Sequence, residues 1–401
     1  MNDIRVKIVI GANYGDEGKG LATHYFSKQK SLKEKCLNVL FNGSCQRGHT
    51  VDLEDGRRHV FHHFGSGTLD GAVTYFDSNF IVNPIFFCLE YDELGESFIK
   101  FPRCFISPEC RVAVPYDAFI NQIVEQDRAK KGTRHGSCGF GVWETQQRYE
   151  QYTRTHYPNR SYAALVNLSN TEILHLLKSI AEVYVPARLK EEYGIEEIPE
   201  EYKKLLASEN LRLNWLMDFR RMNLLTKLSD FESLTSEYKY IIFEGGQGLA
   251  LDENNTAMYP HVTASDTTSA VPLERVKDLT DDIEICYITR SYFTRHGAGP
   301  FPTEVSKDVF DSTLTEDKTN VPNEYQESIR YGFFDVDELL TRISEDMTRA
   351  HQTKNNVKCS LCITHMALPC TSLITLDMLN SHFDSMYLSD RPYNMYPIKI
   401  E

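Results

Sequence analysis

The chain has 401 residues, 41% hydrophobic and 25% charged, the balance of a globular protein able to bury a large core and carry a second lobe; a small disulfide scaffold and a disordered tail are excluded. Its 43 basic and 57 acidic residues give a formal charge of −14, which disfavours non-specific binding to nucleic acid or an anionic membrane but leaves room for a local basic pocket. No run approaches the roughly 18 apolar residues of a membrane span, and Met1 to Ile10 has charges where a signal peptide needs an apolar block, so a cytoplasmic protein with no membrane or nucleic-acid partner is expected.

Arg5 to Ala12 is a short β-branched run reaching Gly11, and Asp16 to Gln29 behind it reads as a helix. Strand, Gly-rich turn and helix form the opening unit of an α/β fold. Leu37 to Phe41, His59 to Phe64 and Phe80 to Val82 read as strands, followed by a helix over Ala118 to Lys130. From about Thr171 to Glu232 the chain is rich in Leu, Glu, Lys and Arg, with Ile173, Leu176, Leu177, Ile180 and Tyr184 at helical spacing. That segment, 171–232, predicts a helical insertion or lobe within a single domain over 1–401, and nothing in it looks catalytic. Strands return at Tyr238 to Glu244 and Ile283 to Thr289, then a polar surface loop at Thr313 to Asn323, a helix at Val336 to His351 and a strand at Val357 to Thr364. Strands spaced by helices predict an α/β fold whose mainly parallel central sheet is covered on both faces. The ten cysteines are scattered, most within apolar runs, as reduced core thiols are. Cys359 and Cys362 form a C-x-x-C inside a strand-like run with no second pair at zinc spacing, so strand packing is expected there.

Two loops carry the chemistry. The first, Gly11-Ala-Asn-Tyr-Gly15-Asp16-Glu17-Gly18-Lys19-Gly20, lies between the first strand and its helix. Glycines there let backbone N–H groups approach a phosphate at the positive end of the helix, and Lys19 adds a point charge. It is not a regular Walker A loop, since Asn13 stands where the first glycine would be and Gly20 where Ser or Thr would bind magnesium. A tight turn by itself needs neither the acid nor the lysine. The second loop, Asn42-Gly-Ser-Cys-Gln46-Arg47-Gly48-His49-Thr50, directly follows the second strand. A lone histidine in such a loop is ordinarily a surface or packed residue; read with the first loop it gains weight.

Together these loops resemble the adenylosuccinate synthetase family, whose first loop carries G-D-E-G-K-G and whose second ends in G-H-T. The resemblance continues in order along nearly the whole chain: His62 with Ser66-Gly67, Asn79 to Pro84, Gly136 to Gly141, Phe243 to Gly248, Tyr259 to Thr268, and Thr294 to Glu304. It implies that family's P-loop-like fold and a two-step reaction. A carboxylate takes the N1 proton of a 6-oxopurine monophosphate such as IMP while O6 attacks the γ-phosphate of a nucleoside triphosphate, and an amine, nominally aspartate, then displaces phosphate from C6. By the match Asp16 is the base and a Mg2+ ligand, His49 is the acid that stabilises the transferring phosphoryl group, and the Gly48 carbonyl helps hold the metal. Gly15, Glu17, Gly18, Lys19, Gly20, Gly48 and Thr50 would bind the nucleotide phosphates. Gln46, Ser137, Cys138, Gln247, Thr263, Arg295 and Arg330 fall on the substrate side, with Cys138 a weaker donor than the threonine it replaces. The family also sends an arginine across a homodimer to the purine nucleotide's phosphate, and Arg148, Arg154 and Arg160 lie in the right stretch.

Three departures bear on substrate. Where the family reads guanine with T-K-x-D and caps it with S-T-G-P-D-R, this chain has Thr364-His365-Met366-Ala367 and Leu388 to Tyr393. An unmet buried polar group costs about 1 to 3 kcal/mol, so ATP or dATP is expected to serve at least as well as GTP. The family's arginine-rich carboxylate loop shrinks to Gln326 to Tyr331, which keeps Arg330 and adds Glu327, so aspartate is expected to bind poorly unless Arg295 or another basic residue replaces the lost arginines. His296 stands for a usual valine and Gln46 for an asparagine. Alternatives are a phage-type 2-aminoadenylosuccinate synthetase acting on dGMP, which Asp16 argues against, a relative using another amine, and a catalytically silent nucleotide-binding protein.

Overall fold

Nearly continuous apolar runs build the centre of the molecule, as strands covered by helices on both faces require. The computed structural model describes residues 4–29, 34–99, 101–155, 161–306, 328–367 and 376–399. Ten strands form the central sheet: β1 Arg5–Gly11, β2 Cys36–Leu40, β3 Val73–Phe76, β4 Cys104–Ile106, β5 Lys227–Leu228, β6 Tyr240–Gly248, β7 Ile283–Arg290, β8 Lys358–Thr364, β9 Ser385–Arg391 and β10 Asn394–Ile398. Their order is β10-β9-β8-β7-β1-β6-β2-β3-β4-β5, parallel throughout except for the β9–β10 pair. The chain therefore runs outward from β1 in both directions. That makes a switch point, and the crevice beyond the carboxyl ends of β1, β6 and β7 is where such sheets take ligands.

Side-chain alternation assigns the two faces. Ile8 and Ile10 of β1 join Phe243, Ile285 and Leu361 in a core closed by Leu339, Ile343 and Ala350 of the helix Val336–Thr353. Val9 faces the other way, with Ile242, Cys286 and Cys362, under Ala22 and Phe26 of the helix Lys19–Lys28. A third core holds Phe61, Phe76, Phe87, Ile120, Ile173, Leu177 and Trp215. It contains the helices Asn170–Ser179, Val185–Tyr193, Glu200–Ala207 and Glu209–Leu225, the first opened by a capping box between Ser169 and Glu172.

Two expected strands form but leave the central sheet. Arg58–Phe61 pairs antiparallel with His49–Asp52, and Ile81–Val82 pairs with Arg111–Val112. The first helix begins at Lys19 rather than Asp16, because Gly15, Asp16 and Gly18 take positive φ of 92°, 56° and 99° and spend those residues on a loop. Strands β3, β4 and β5 went unread because two to four residues carry too little periodicity. Cys359 and Cys362 are packed in β8 as expected, and no group of three metal-ligating side chains occurs among the described residues. No described helix is long and apolar enough to cross a membrane.

Trp215 is the anchor of the helical core: its Nε1–H donates to the Ala113 carbonyl at 3.1 Å and its ring stacks on Phe219 at 5.3 Å. Trp215→Ala should cost about 3 to 5 kcal/mol of stability in denaturant titration. A loss under about 1 kcal/mol would mean that this core tolerates the cavity.

Candidate functional site

The first loop is held from the sheet side. Arg290 at the end of β7 donates to the Asp16 carbonyl, and Thr364 Oγ1 at the end of β8 donates to the Glu17 carbonyl at 2.9 Å. Asn13 ties the loop inward, its N–H to Glu17 Oε1 at 2.6 Å and its Nδ2 to Thr289 Oγ1 at 2.9 Å. Arg342, from the helix Val336–Thr353, grips Asn13 Oδ1 and lies over the Tyr14 ring. The helix Lys19–Lys28 then starts at Gly18 with no side-chain cap, the kind of helix N-terminus that can receive an anion.

This geometry divides the acids of the loop. The Glu17 carboxylate folds back so closely that a Cβ on Gly11 would lie 2.0 Å from its Oε2. Burial pushes Glu17 up to about 7 against the pull of Lys19 and the Asn13 hydrogen bonds. Its side chain is turned back into the loop, where it accepts from the Asn13 N–H. Asp16 points into the crevice, where Oδ2 meets His296 Nε2 at 2.9 Å. Burial acts to raise its carboxyl, yet His296, Arg290 and Lys19 hold it well below the usual carboxylate range. Burial also pushes the Lys19 ammonium down, opposed by Glu17, Asp16 and Glu244.

The second loop packs directly on the first. A Cβ on Gly20 would lie 2.8 Å from the Thr50 carbonyl oxygen and 3.0 Å from His49, so Gly20 abuts His49 and Thr50. His49 opens the hairpin strand His49–Asp52, and its Nδ1 lies 2.6 Å from Oε1 of Glu244 on β6. Glu244 also accepts from Ser66 N at 3.0 Å and from Ser66 Oγ. Burial acts to raise Glu244, but Arg47, His49 and Ser66 bring it to about 2. An ionised carboxylate only accepts, so the proton of the neutral ring sits on Nδ1. Burial and Arg47 push His49 down to about 4 against Glu244, and its Nε2 is buried with no partner among the described residues.

Past Glu244 the sheet falls out of register: Val9 faces Glu244, but Gly11 faces Gly248, so Gly245, Gly246 and Gln247 bulge. The bulge sets Gln247 Oε1 4.0 Å from where a Gly15 Cβ would stand. Gln46 lies beside Gly43 with Oε1 buried and unpartnered among the described residues. Gly136 packs on Gly297, and Ala298 N–H donates to the His135 carbonyl at 3.2 Å, which docks the Ser137–Cys138 loop on the segment carrying His296. Ser137 Oγ donates to Asn121 Oδ1 at 3.0 Å, and burial pushes the Cys138 thiol up. Thr263 is partly exposed, its N–H donating to the Leu251 carbonyl at 2.8 Å.

Both expected substrate arginines are already engaged. Arg295 donates to the carbonyls of Pro300, His261 and Ala298 at 2.8 to 3.2 Å and lies over Tyr14. Arg330 meets both Glu304 carboxylate oxygens and donates to the Gly297 and Gly299 carbonyls, each at 3.0 Å. Each is thus a clamp on the 297–300 segment, held by antiparallel pairing of Phe293–Arg295 and Glu304–Val305 with Arg330–Gly332. Arg148 is engaged within this chain, buried in a two-pronged pair with Asp117 and on the Val112 carbonyl. The Arg154 side chain, Arg160 and Gln326 and Glu327 lie outside the described residues. Sequence reasoning gave no role to Glu244, Arg47, Ser66 or Arg342. The signal for Glu244 was there, as an acid closing the otherwise apolar run Tyr240 to Phe243.

A family model described as adenylosuccinate synthetase matches residues 8–349. Among curated proteins the chain is similar to the adenylosuccinate synthetases of Psychrobacter cryohalolentis (31% identical over 307 residues), Clostridium perfringens (28% over 311) and Thermoplasma acidophilum (26% over 309). The matches take in 75 to 76% of this chain and 64 to 66% of those proteins, just under two thirds of their length. Among solved structures its fold is similar to a fully ligated adenylosuccinate synthetase from Plasmodium falciparum, with a TM-score of 0.65 at 22% identity over 90% of this chain and 77% of that one. It is also similar to the cyanophage S-2L succinoaminodeoxyadenylate synthetase bound to dGMP and dATP as an energy donor, with a TM-score of 0.63 at 16% identity over 98% and 95%.

The bulge after Glu244 yields a direct test of the site's architecture. A Cβ at position 248 would lie 2.3 Å from the Asn13 carbonyl oxygen and 2.7 Å from the Gly15 nitrogen, both backbone atoms of the first loop. Gly248→Ala should weaken triphosphate binding at least about tenfold and cost about 1 to 3 kcal/mol of stability. Wild-type affinity measured by equilibrium titration would show that the first loop does not form the phosphate site.

Proposed function

The chain belongs to the adenylosuccinate synthetase family, and from that premise we propose that it is a C–N bond-forming purine nucleotide ligase. It activates a 6-oxopurine monophosphate by phosphoryl transfer and then joins an amine at C6. The observation that carries this reading is the convergence of Asp16, Lys19 and His49 from two loops on one crevice, with His49 backed by an ionised Glu244. Packing supplies no reason for that set of charges to meet.

In the proposed first step Asp16 accepts the N1 proton as O6 attacks the γ-phosphorus and the diphosphate leaves. Lys19 and the uncapped helix N-terminus hold the phosphates. His49 presents Nε2 to the transferring group, and the negative charge arriving there draws onto that nitrogen the proton it lacks when the site is empty. The amine then adds at C6 and gives up a proton to solvent, and the O6-bearing phosphate departs, a far better leaving group than an oxo group. The Asp16 carboxylate and the Gly48 carbonyl are two hard oxygen donors, the small protein share that suits Mg2+ completed by phosphates and water. Such an ion would neutralise charge on the transferring phosphoryl group.

For the amine, the commitment of Arg330 to Glu304 supports a donor less acidic than aspartate. His365 and Ala367 are exposed at the end of β8 with no acid in the guanine-reading position, which supports ATP or dATP as donor. Asp16 favours a hypoxanthine substrate over the dGMP reading. We further propose one catalytic domain over 1–401 with 171–232 as its helical lobe (apart from β5, which joins the central sheet), a homodimer, and a reducing, cytoplasmic setting, the last supported by nine free cysteines among the described residues.

Two experiments test these statements. Asp16→Ala and His49→Ala should each cut single-turnover phosphate release about a hundredfold or more with the fold intact; near-normal rates in both would sink the mechanism. In a product-mass screen of triphosphates against amines, GTP should hold no advantage above about tenfold, equivalent to about 1.4 kcal/mol. Efficient succinyl-adduct formation at sub-millimolar aspartate would refute the reading of the Arg330 segment.

A further inference from the structure

Glu244 is fully buried, 0% exposed, and Arg47, His49 and Ser66 hold its carboxyl low against that burial. A buried carboxylate is stable only where charge and hydrogen bonds compensate it. Ser66 supplies two donors and a neutral His49 a third, and none of these carries a full charge. Arg47 does. It is 2% exposed, and its Nη1 lies 3.8 Å from Glu244 Oε1, the same oxygen that His49 Nδ1 meets.

The guanidinium has little freedom to be anywhere else. Nε donates to the His62 carbonyl at 3.1 Å and Nη2 to the Phe64 carbonyl. That segment is fixed in turn by buried Glu90, which accepts the backbone N–H groups of His62, His63 and Phe64. Nη1 is the guanidinium nitrogen left without a hydrogen-bond partner among the described residues, and it faces Glu244.

We propose that Arg47 is a positioning residue for the transfer step: its fixed guanidinium keeps Glu244 an anionic acceptor, which in turn locks His49 in the Nδ1–H tautomer with Nε2 turned to the ligand. The proposal deepens the reading of His49 given above and rests on it for its catalytic consequence, though not for its structural one. Without the guanidinium, Glu244 takes up a proton and becomes a donor toward Nδ1. The ring proton then moves to Nε2, and the nitrogen that should receive a proton on nucleotide binding already carries one.

The test is nitrogen-15 NMR of the histidine rings in the ligand-free full chain, which reads the tautomer without any turnover. Wild type should show His49 protonated on Nδ1, and Arg47→Met should shift it to the Nε2–H form or a mixture. Arg47→Lys, which keeps the charge, should restore the wild-type pattern. Arg47→Met/Glu244→Gln removes both charges and leaves an amide carbonyl to accept from Nδ1, so it should regain the tautomer and the thermal midpoint that Arg47→Met loses. In turnover, Arg47→Met should lower kcat about a hundredfold with KM for both nucleotides within about threefold. Wild-type ring shifts in Arg47→Met would overturn the proposal, as would a raised KM at unchanged kcat, which would make Arg47 a nucleotide ligand. If Arg47→Met does not fold, the double variant decides: recovery of the fold supports the charge pairing, and failure of both variants overturns it. A wild-type chain with the Nδ1–H tautomer but no triphosphate-dependent turnover would sink the ligase reading alone.

Discussion

The structure of the site depends on one buried anion. Glu244 lies within β6 at the point where the strand falls out of register with β1, and it is fully buried there. An ion there demands partners, and the partners come from two other segments: Arg47 and His49 from the second loop, and Ser66 from the turn after the hairpin. The same demand draws the second loop onto the first, where Gly20 meets Thr50 with no room for a side chain. The geometry of the site and its local stability are therefore one arrangement. The compensation that makes a buried charge tolerable also fixes which nitrogen of His49 faces the crevice.

Legibility of the fold followed the length and apolar continuity of its elements. β1, β2, β6, β7 and β8, and the helices Pro115–Lys131 and Val336–Thr353, lie within a few residues of where hydrophobic pattern puts them. Pattern could not assign partners. His59 to Phe64 reads as strand and is partly strand, yet its partner is His49–Asp52, a choice made by tertiary packing. β9 and β10 close the far edge of the sheet as an antiparallel pair that pattern reading missed.

At the site, residue types were legible and directions were not. Glycine, acid and lysine inside one tight turn pointed to phosphate chemistry, but only the fold separates Asp16, turned to the crevice, from Glu17, turned back against Gly11. Arg295 and Arg330 read as substrate-binding residues in sequence. In the structure both are consumed by backbone carbonyls, and Arg330 also by Glu304, because the 297–300 segment is glycine-rich and needs external donors to hold its shape. Arg47 gave no signal, since its significance lies in a contact with a residue nearly two hundred positions away.

The central claim is that O6 of a purine nucleotide attacks the γ-phosphorus and leaves on the phosphate. It is tested most directly with purine monophosphate labelled with oxygen-18 at O6, incubated with triphosphate and an accepted amine, and with the released phosphate weighed by mass spectrometry. The proposed chemistry transfers the label to inorganic phosphate, one label per C–N bond formed. Unlabelled phosphate, with oxygen-18 retained on the purine, would mean that water is the acceptor and that the chain hydrolyses the triphosphate without activating C6.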